Sequence, residues 1–332
     1  MSAKKQNSRN WWQFSLGLCC LVGLTYLAYL WLPMPGVTPK GPPPGPPPRA
    51  IDTSLELQVA LARSGFSPGS IDGSIGLQTR QALTAFQRAH QLPPTSEYDA
   101  STQTQLKIRD PVFAYIELTE ADFAKIDPPP ISWRDRGERD RMAYHSILEM
   151  VAEKSQSDPD LIVKLNPELD WDALAAGQRI KVPHISRPIL KEKAEHIRIF
   201  LSARTLQAID AQGRTVFHAP VSIARQVDKR PSGKLTVAVR VENPNYTFNP
   251  AILSATAARE GITEKFIIQP GPNNPVGSVW IGLNLPSYGI HGTPGPEQVG
   301  RTESSGCFRL ANWNAEILLG LVHDGMSVFV EP

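Results

Sequence analysis

The chain has 332 residues, too many for one ordinary domain and enough for two or three. Its 34 basic and 32 acidic side chains nearly balance, and no basic stripe is interleaved with aromatics, so there is no electrostatic case for nucleic acid as a partner. Three cysteines, two of them (Cys19 and Cys20) inside an apolar stretch, exclude a disulfide scaffold, and no Cys/His cluster has metal-ligand spacing, so neither metal nor cofactor is expected.

Residues 1–10 form a basic tail carrying Lys4, Lys5 and Arg9, followed by an uncharged run from Trp11 to Leu32. As a helix, that run spans about 33 Å, enough for a bilayer core of about 30 Å. Trp11 and Trp12 at one end, and Tyr26, Tyr29 and Trp31 at the other, fit the two interfacial belts. The positive flank predicts a single-pass signal-anchor at 11–32, with everything after Leu32 on the exported, periplasmic or wall side of the cell membrane. A cleaved signal peptide is the competing reading, but its apolar core is ordinarily shorter and no A-x-A site precedes Pro33. Lipid modification of Cys19 is disfavoured by the bulk of Leu18. Residues 33–50 come next as a linker; nine of the sixteen positions from Pro33 to Pro48 are proline, which predicts a stiff polyproline II spacer.

From residue 53 to 106 the apolar period becomes helical. Leu55 to Ala62 give one helix stopped by Gly65, Gln78 to His90 a second, and Thr102 to Leu106 a short third, with Ile71-Asp72-Gly73 in a tight turn between the first two. Periodicity alone supports a small three-helix domain, with a protein-interaction module as the plain reading. Residues 107–142, with Pro128-Pro129-Pro130 and a mixed-charge run from Arg134 to Arg141, read as a solvated linker. Residues 143–185 predict two short helices, Tyr144 to Lys154 and Asp158 to Lys164, ending at Val182-Pro183. From His196 the period shifts to two, and strands are expected at 197–201, 205–209, 215–223, 234–242, 265–269, 278–283, 288–291 and 326–330. One clear helix, Trp313 to His323 with Asn312 as N-cap, follows. The fold class is therefore multidomain α+β: a transmembrane helix, a three-helix domain, a small α/β module and a mostly-β domain over 194–331.

Chemistry concentrates near the C-terminus. Cys307 is the only thiol outside the apolar stretch, so it is an intermolecular bridge, an inert core residue or a nucleophile. It lies in Ser304-Ser305-Gly306-Cys307-Phe308-Arg309, with His291 sixteen positions upstream in Ile290-His291-Gly292-Thr293-Pro294. A Cys–His pair is the minimal equipment for acyl transfer through a thioester. His218 and His323 have no supporting motif and read as surface or satisfied structural residues.

Three resemblances sharpen these readings. Leu57-Gln58, Ile71-Asp72-Gly73, Gly76, Thr79, Phe86-Gln87 and Thr102 resemble the peptidoglycan-binding three-helix domain. Asn166-Pro167, Leu174, Gly177 and Val182-Pro183 are similar to a degenerate LysM repeat, with a structural spacer as the alternative. Pro231-Ser232-Gly233, Asn243 to Tyr246, Pro270 to Gly277, Trp280-Ile281, Gly289 to Thr293 and Ser304 to Leu310 resemble the L,D-transpeptidase (YkuD-type) catalytic family. That resemblance implies a Cys307 nucleophile, a His291 general acid/base whose ring is oriented by the Gly292 carbonyl, and 3→3 cross-linking of peptidoglycan stem peptides. Backbone N–H groups of Gly306 and Cys307 are expected to hold the oxyanion, and Arg309, Ser304 and Ser305 to contact substrate, with a structural ion pair the alternative for Arg309. Many members carry histidine where this chain has Ser305. A hydrolase or carboxypeptidase, an enzyme attaching proteins to peptidoglycan, and an inactive wall-binding scaffold are the rival functions. Wall affinity in residues 53–106 is expected to be separable from catalysis by a chain starting near Lys191.

Overall fold

The computed structural model describes residues 46–186, 188, 190, 193–304 and 306–332. The expected membrane helix at 11–32, most of the proline-rich segment and Ser305 lie outside the described residues. Among those described, no helix is long and apolar enough to cross a membrane.

Helices α1 (Ser54–Arg63), α2 (Leu77–Ala89) and α3 (Ala100–Gln105) build the first module. Thr53 caps α1 by accepting from the Glu56 N–H, and Asp99 caps α3 by accepting from the Thr102 N–H. Their inner faces meet in a core of Leu57, Val59, Leu61, Ile71, Leu83, Phe86 and Ile108, with Phe66 edge-on to Phe86 at 5.4 Å. The end of the proline-rich segment is not a free linker, since Arg49 exchanges backbone hydrogen bonds with Ile108 (2.9 and 3.0 Å).

Residues 107–142 are likewise not a solvated linker. They hold strand β1 (Phe113–Glu117) and the short helices α4 (Glu120–Phe123) and α5 (Trp133–Gly137). Helices α6 (Ile147–Lys154) and α7 (Pro159–Leu165) follow, then strand β2 (Arg179–Pro183), which pairs antiparallel with β1 from Phe113↔Pro183 to Glu117↔Arg179. Leu118, Ile147, Met150, Val151, Ile162, Ile180 and Val182 fill this second core. The second module thus borrows its opening strand from the stretch expected to be a tether.

The third region has strands β3 (His196–Phe200), β4 (Thr205–Ile209), β5 (Thr215–Pro220), β6 (Gly233–Glu242) and β7 (Tyr246–Phe248), helix α8 (Ser254–Glu260), and strands β8 (Phe266–Ile268), β9 (Val279–Leu283), β10 (Gly289–His291) and β11 (Phe308–Arg309). Helix α9 (Asn312–Leu321) and strand β12 (Ser327–Glu331) complete it. Eight strands form one sheet in the order β11-β10-β9-β6-β12-β3-β4-β5, while β7 and β8 make a separate pair. Strict alternation in β3 and β12 sends Ile197, Ile199, Val328 and Val330 inward, where α9 adds Ala315 and Leu318. The two sheet edges meet: just beyond β5, Ser222 and Arg309 of β11 exchange N–H···O bonds of 2.9 and 3.0 Å. Closure there removes an open edge.

The modules are packed together, and residues 46–332 form one unit. Residues 65–67 lie along β5, with His218 donating to the Gly65 carbonyl (3.0 Å) and accepting from the Ser67 N–H (2.8 Å). His218 is consequently not on the surface and not satisfied. It is 1% exposed, and neither ring nitrogen has a hydrogen-bond partner among the described residues.

Burial alone pushes the His218 pKa down to about 3. Between that value and its unfolded pKa of about 6.5, the unfolded chain binds a proton that the folded chain refuses, so stability falls as the pH drops through this window. At pH 5 the cost is about 2 kcal/mol. His218→Leu removes no side-chain hydrogen bond and should narrow the loss of melting temperature between pH 7 and pH 5, measured by calorimetry; an unchanged pH dependence contradicts the assignment.

Candidate active site

Strands β10 and β11 run parallel, with Ile290 opposite Phe308 and His291 opposite Arg309. Side chains of paired residues share a face, and so do residues two apart on one strand. Extending the register one step before β11 places Cys307 opposite Gly289. Cys307, Arg309 and His291 therefore share one face at the seam where the sheet closes, with Cys307 diagonal to His291. On the far side, β9 pairs Trp280 with His291, and the rings stack with centroids 5.7 Å apart at 25°. Gly289 has to be side-chain free, since a Cβ there would meet the Trp280 ring at 2.7 Å.

His291 is 5% exposed, and its Nδ1 lies 2.6 Å from the Gly292 carbonyl oxygen. A carbonyl only accepts, so Nδ1 carries the proton and Nε2 is left as the basic nitrogen. Desolvation pushes the imidazole pKa down to about 4, with the positive charge of Arg309 acting in the same direction. Burial pushes the Cys307 thiol up, against the pull of a Gly289 backbone contact and the Arg309 charge. The resting pair at neutral pH is a thiol and a neutral imidazole. Cys307 Sγ donates to the Ser287 carbonyl at 3.4 Å; the thiol has no cysteine partner among the described residues and is half-buried rather than sealed in a core. Tyr246 on β7 belongs to the same site: its hydroxyl is held above its usual pKa first by burial, then by the charge of a Cys307 thiolate.

The loop before the cysteine is fixed by its own hydroxyl. Ser304 Oγ donates to the Cys307 carbonyl (2.6 Å) and accepts from the Gly306 N–H (3.3 Å). In the resting site the Gly306 N–H is therefore engaged by the Ser304 hydroxyl. Ser304 shapes the turn. Arg309 makes no ion pair of its own among the described residues; it donates to the Glu303 carbonyl, and its Nε–H is buried without a partner there. Its charge is felt by Cys307 and His291, and burial, its largest influence, lowers its own pKa. Glu303 in turn pairs with Arg204 (3.2 Å) and Arg225 (3.4 Å).

The residue that the sequence reading misplaced is Asn312. It is the first residue of α9 rather than its cap, and it is 0% exposed. Its Oδ1 accepts from the Thr293 N–H (3.0 Å) and the Ser278 N–H (3.2 Å), while its Nδ2 donates to Glu153 Oε2 (2.9 Å) and the Pro272 carbonyl (3.3 Å). A Cβ at Gly292 or Gly277 would strike Oδ1 at 2.2 or 2.1 Å, so both positions require glycine for close approach. Glu153 comes from α6 of the second module; burial pushes its pKa up to about 7, and the Tyr144 hydroxyl donates to its other oxygen at 3.2 Å. A polar side chain buried at a helix start looks like a cap in sequence, and nothing in the periodicity marks it otherwise. No group of three or more metal-ligating side chains occurs among the described residues.

Two expected outcomes follow from this geometry. Asn312→Ala strips partners from two N–H groups and a buried carboxylate, at about 1–3 kcal/mol each. It should lower both the melting temperature and the rate of Cys307 acylation by a β-lactam, read by intact mass; full-rate acylation would show that the network does not position the base. Because His291 is neutral above about pH 4, the acid limb of acylation in wild type should fall near that pH, and a limb near 6.5 would contradict the burial argument.

Residues 194–330 match the family described as "L,D-transpeptidase catalytic domain", and residues 53–106 match that described as "Putative peptidoglycan binding domain". The chain is 26% identical over 185 residues to the "Putative L,D-transpeptidase YkuD" of Bacillus licheniformis, covering 56% of this chain and 93% of that protein. It is 25% identical over 183 residues to its namesake in Bacillus subtilis, covering 55% and 92%. Among solved structures, L,D-transpeptidase 3 from Mycobacterium tuberculosis aligns over 48% of this chain and 77% of that one, at 14% identity and a TM-score of 0.34. The chain thus carries a catalytic domain of the L,D-transpeptidase family, preceded by a peptidoglycan-binding domain.

Proposed function

We propose that this protein cross-links peptidoglycan stem peptides by L,D-transpeptidation through a Cys307 thioester. The observation that carries the reading is the shared sheet face of Cys307 and His291, with the imidazole held by Gly292 so that Nε2 is the basic nitrogen. The donor is a tetrapeptide stem, attacked at the meso-diaminopimelate carbonyl that precedes D-alanine.

As the substrate carbonyl approaches, the Cys307 thiol gives its proton to His291 Nε2 and sulfur bonds to the carbonyl carbon. The oxyanion is held by the Cys307 N–H, joined by the Gly306 N–H when Ser304 Oγ turns away, and Arg309 supplies positive field. Collapse breaks the C–N bond, and the imidazolium returns its proton to the departing D-alanine amine. The side-chain amine of a second stem's diaminopimelate then loses a proton to His291 and attacks the thioester. Its C–N bond replaces C–S, the proton returns to sulfur, and a 3→3 link results. Arg309 and Ser304 act on this reading through field and loop shape; Ser305 is kept among the substrate-contacting residues on sequence grounds alone. No cofactor takes part.

Residues 11–32 are read as a single-pass membrane anchor that places the catalytic domain on the exported side, with peptidoglycan glycan and stem peptides as partners of the folded region. The second module is read as LysM-like.

Incubation of the purified protein with disaccharide-tetrapeptides should yield dimers with release of D-alanine, resolved by mass spectrometry. Cys307→Ala should abolish both products and the carbapenem adduct, Cys307→Ser should be nearly inactive, and His291→Ala should slow acylation by about 10²–10⁴. Accumulation of tripeptide without dimer would replace the transpeptidase by a carboxypeptidase, and turnover by Cys307→Ala would end the thioester mechanism.

A further inference from the structure

A cleft of about 420 Å³ lies between the three-helix module and the catalytic sheet, a size within the range of small-ligand sites. The helical module contributes Ser70, Asp72, Leu77, Gln78 and Gln81 to its lining, and the catalytic domain contributes Ser202, Arg204 and Arg301. From these walls we infer that the cleft binds an N-acetylated sugar of the glycan strand whose stem peptide is delivered to Cys307; this deepens the transpeptidase reading and rests on it.

The chemistry of the lining selects the ligand. Its charges are already engaged: Arg301 faces Asp72 at 3.7 Å, and Arg204 pairs with Glu303 at 3.2 Å and donates to the Gly300 carbonyl at 3.3 Å. A carboxylate or phosphate would find no unpaired cation among the described lining residues. What is left at the surface of the cleft is neutral and polar, the Ser74 hydroxyl and the side-chain oxygens of Gln78 and Gln81, and these match the hydroxyl and acetamido groups of a sugar. Ser70 supplies the second observation. It is 6% exposed, and its Oγ has no hydrogen-bond partner among the described residues, a deficit that a bound hydroxyl or amide would relieve. Leu77 offers an apolar surface at the rim, 71% exposed where a core residue of α2 would be covered, and fits an acetamido methyl.

Position connects the cleft to the chemistry. Gln78 Nε2 donates to the Val299 carbonyl at 2.7 Å, so α2 holds the start of the segment that leads to Cys307, and Gln81 Nε2 donates to the Ala203 carbonyl at 2.8 Å in the β3–β4 turn on the opposite wall. Sugar bound here touches Gly300 and Arg301, in the segment that leads to the nucleophile.

The test is titration of stem-free N-acetylglucosaminyl-N-acetylmuramic acid into the full chain, by calorimetry and by amide chemical shifts. Wild type should bind with shifts confined to residues 68–81, 202–204 and 299–303. Leu77→Asp, on the exposed rim, and Ser70→Val, in the wall, should each weaken binding about tenfold, with a melting temperature confirming that the variant is folded. No binding to wild type, or equal affinity in a folded Leu77→Asp, would overturn the assignment. The two readings fail separately. Wild type that binds the disaccharide but forms no dimer removes the transpeptidase and keeps the cleft; wild type that cross-links free tetrapeptides but ignores the disaccharide removes the cleft and keeps the enzyme.

Discussion

One buried carboxamide holds the catalytic geometry together. Asn312 accepts from backbone N–H groups on two segments and donates to a third segment and to Glu153, a residue 159 positions away in sequence. The Thr293 N–H fixes where the chain goes after Gly292, and the Gly292 carbonyl fixes the tautomer of His291. The tautomer of the base is thus tied to a chain of contacts that begins in a different module. Each link is a group that would cost about 1–3 kcal/mol if left unpaired, so the arrangement is either complete or expensive. Glycine at 277 and 292 is the steric counterpart of that network, because any side chain there would occupy the space of the amide oxygen.

Electrostatics set the resting state of the nucleophile. Burial works against the imidazolium and the thiolate alike, so an ion pair formed in advance is disfavoured on both sides. Lowering an imidazole from about 6.5 to about 4 corresponds to about 3 kcal/mol against its charged form. Arg309 tilts the balance by favouring the thiolate, but it also disfavours the imidazolium beside it. Proton transfer therefore accompanies attack on a bound carbonyl, when an oxyanion appears to share the positive field. A thiol that stays protonated until substrate arrives is a weaker target for oxidants, which suits a cysteine with no thiol partner among the described residues.

Much of the catalytic half was legible because its strands alternate cleanly and Gly/Pro-rich turns separate them. Cys307 and His291 stood out for a chemical reason, as a lone thiol and a histidine each embedded in small residues. What escaped shares one physical cause: partners far away in sequence. Strand β1 lies in a stretch rich in proline and charge, and its identity depends on β2 more than 60 residues later. Strand β11 is two residues long and exists only because β10 and Ser222 flank it. Strand β8 was legible at 265–269, but its partner β7 is three residues long and carries no period to read, and its Tyr246 and Phe248 pack tilted against Trp133 from the same misread stretch, Phe248 at 5.2 Å. His218 was passed over because burial without a partner has no sequence signature.

The same long-range contacts bear on how far binding and catalysis can be separated. A modular reading treats the chain from about Lys191 onward as a self-sufficient enzyme. Cutting there would expose the edge of β5 that residues 65–67 now cover, and an uncovered edge invites pairing between chains. It would remove Glu153 from Asn312, Met142 from the Pro270–Asn273 backbone, and Gln78 from Val299. The last of these releases the loop leading to Cys307. Sequence motifs divide this protein into a wall-binding part and a reacting part, but the hydrogen bonds that shape the reacting part cross that division. The helical module and the strand that carries the thiol are, in this architecture, joined by the same few residues of loop 299–304.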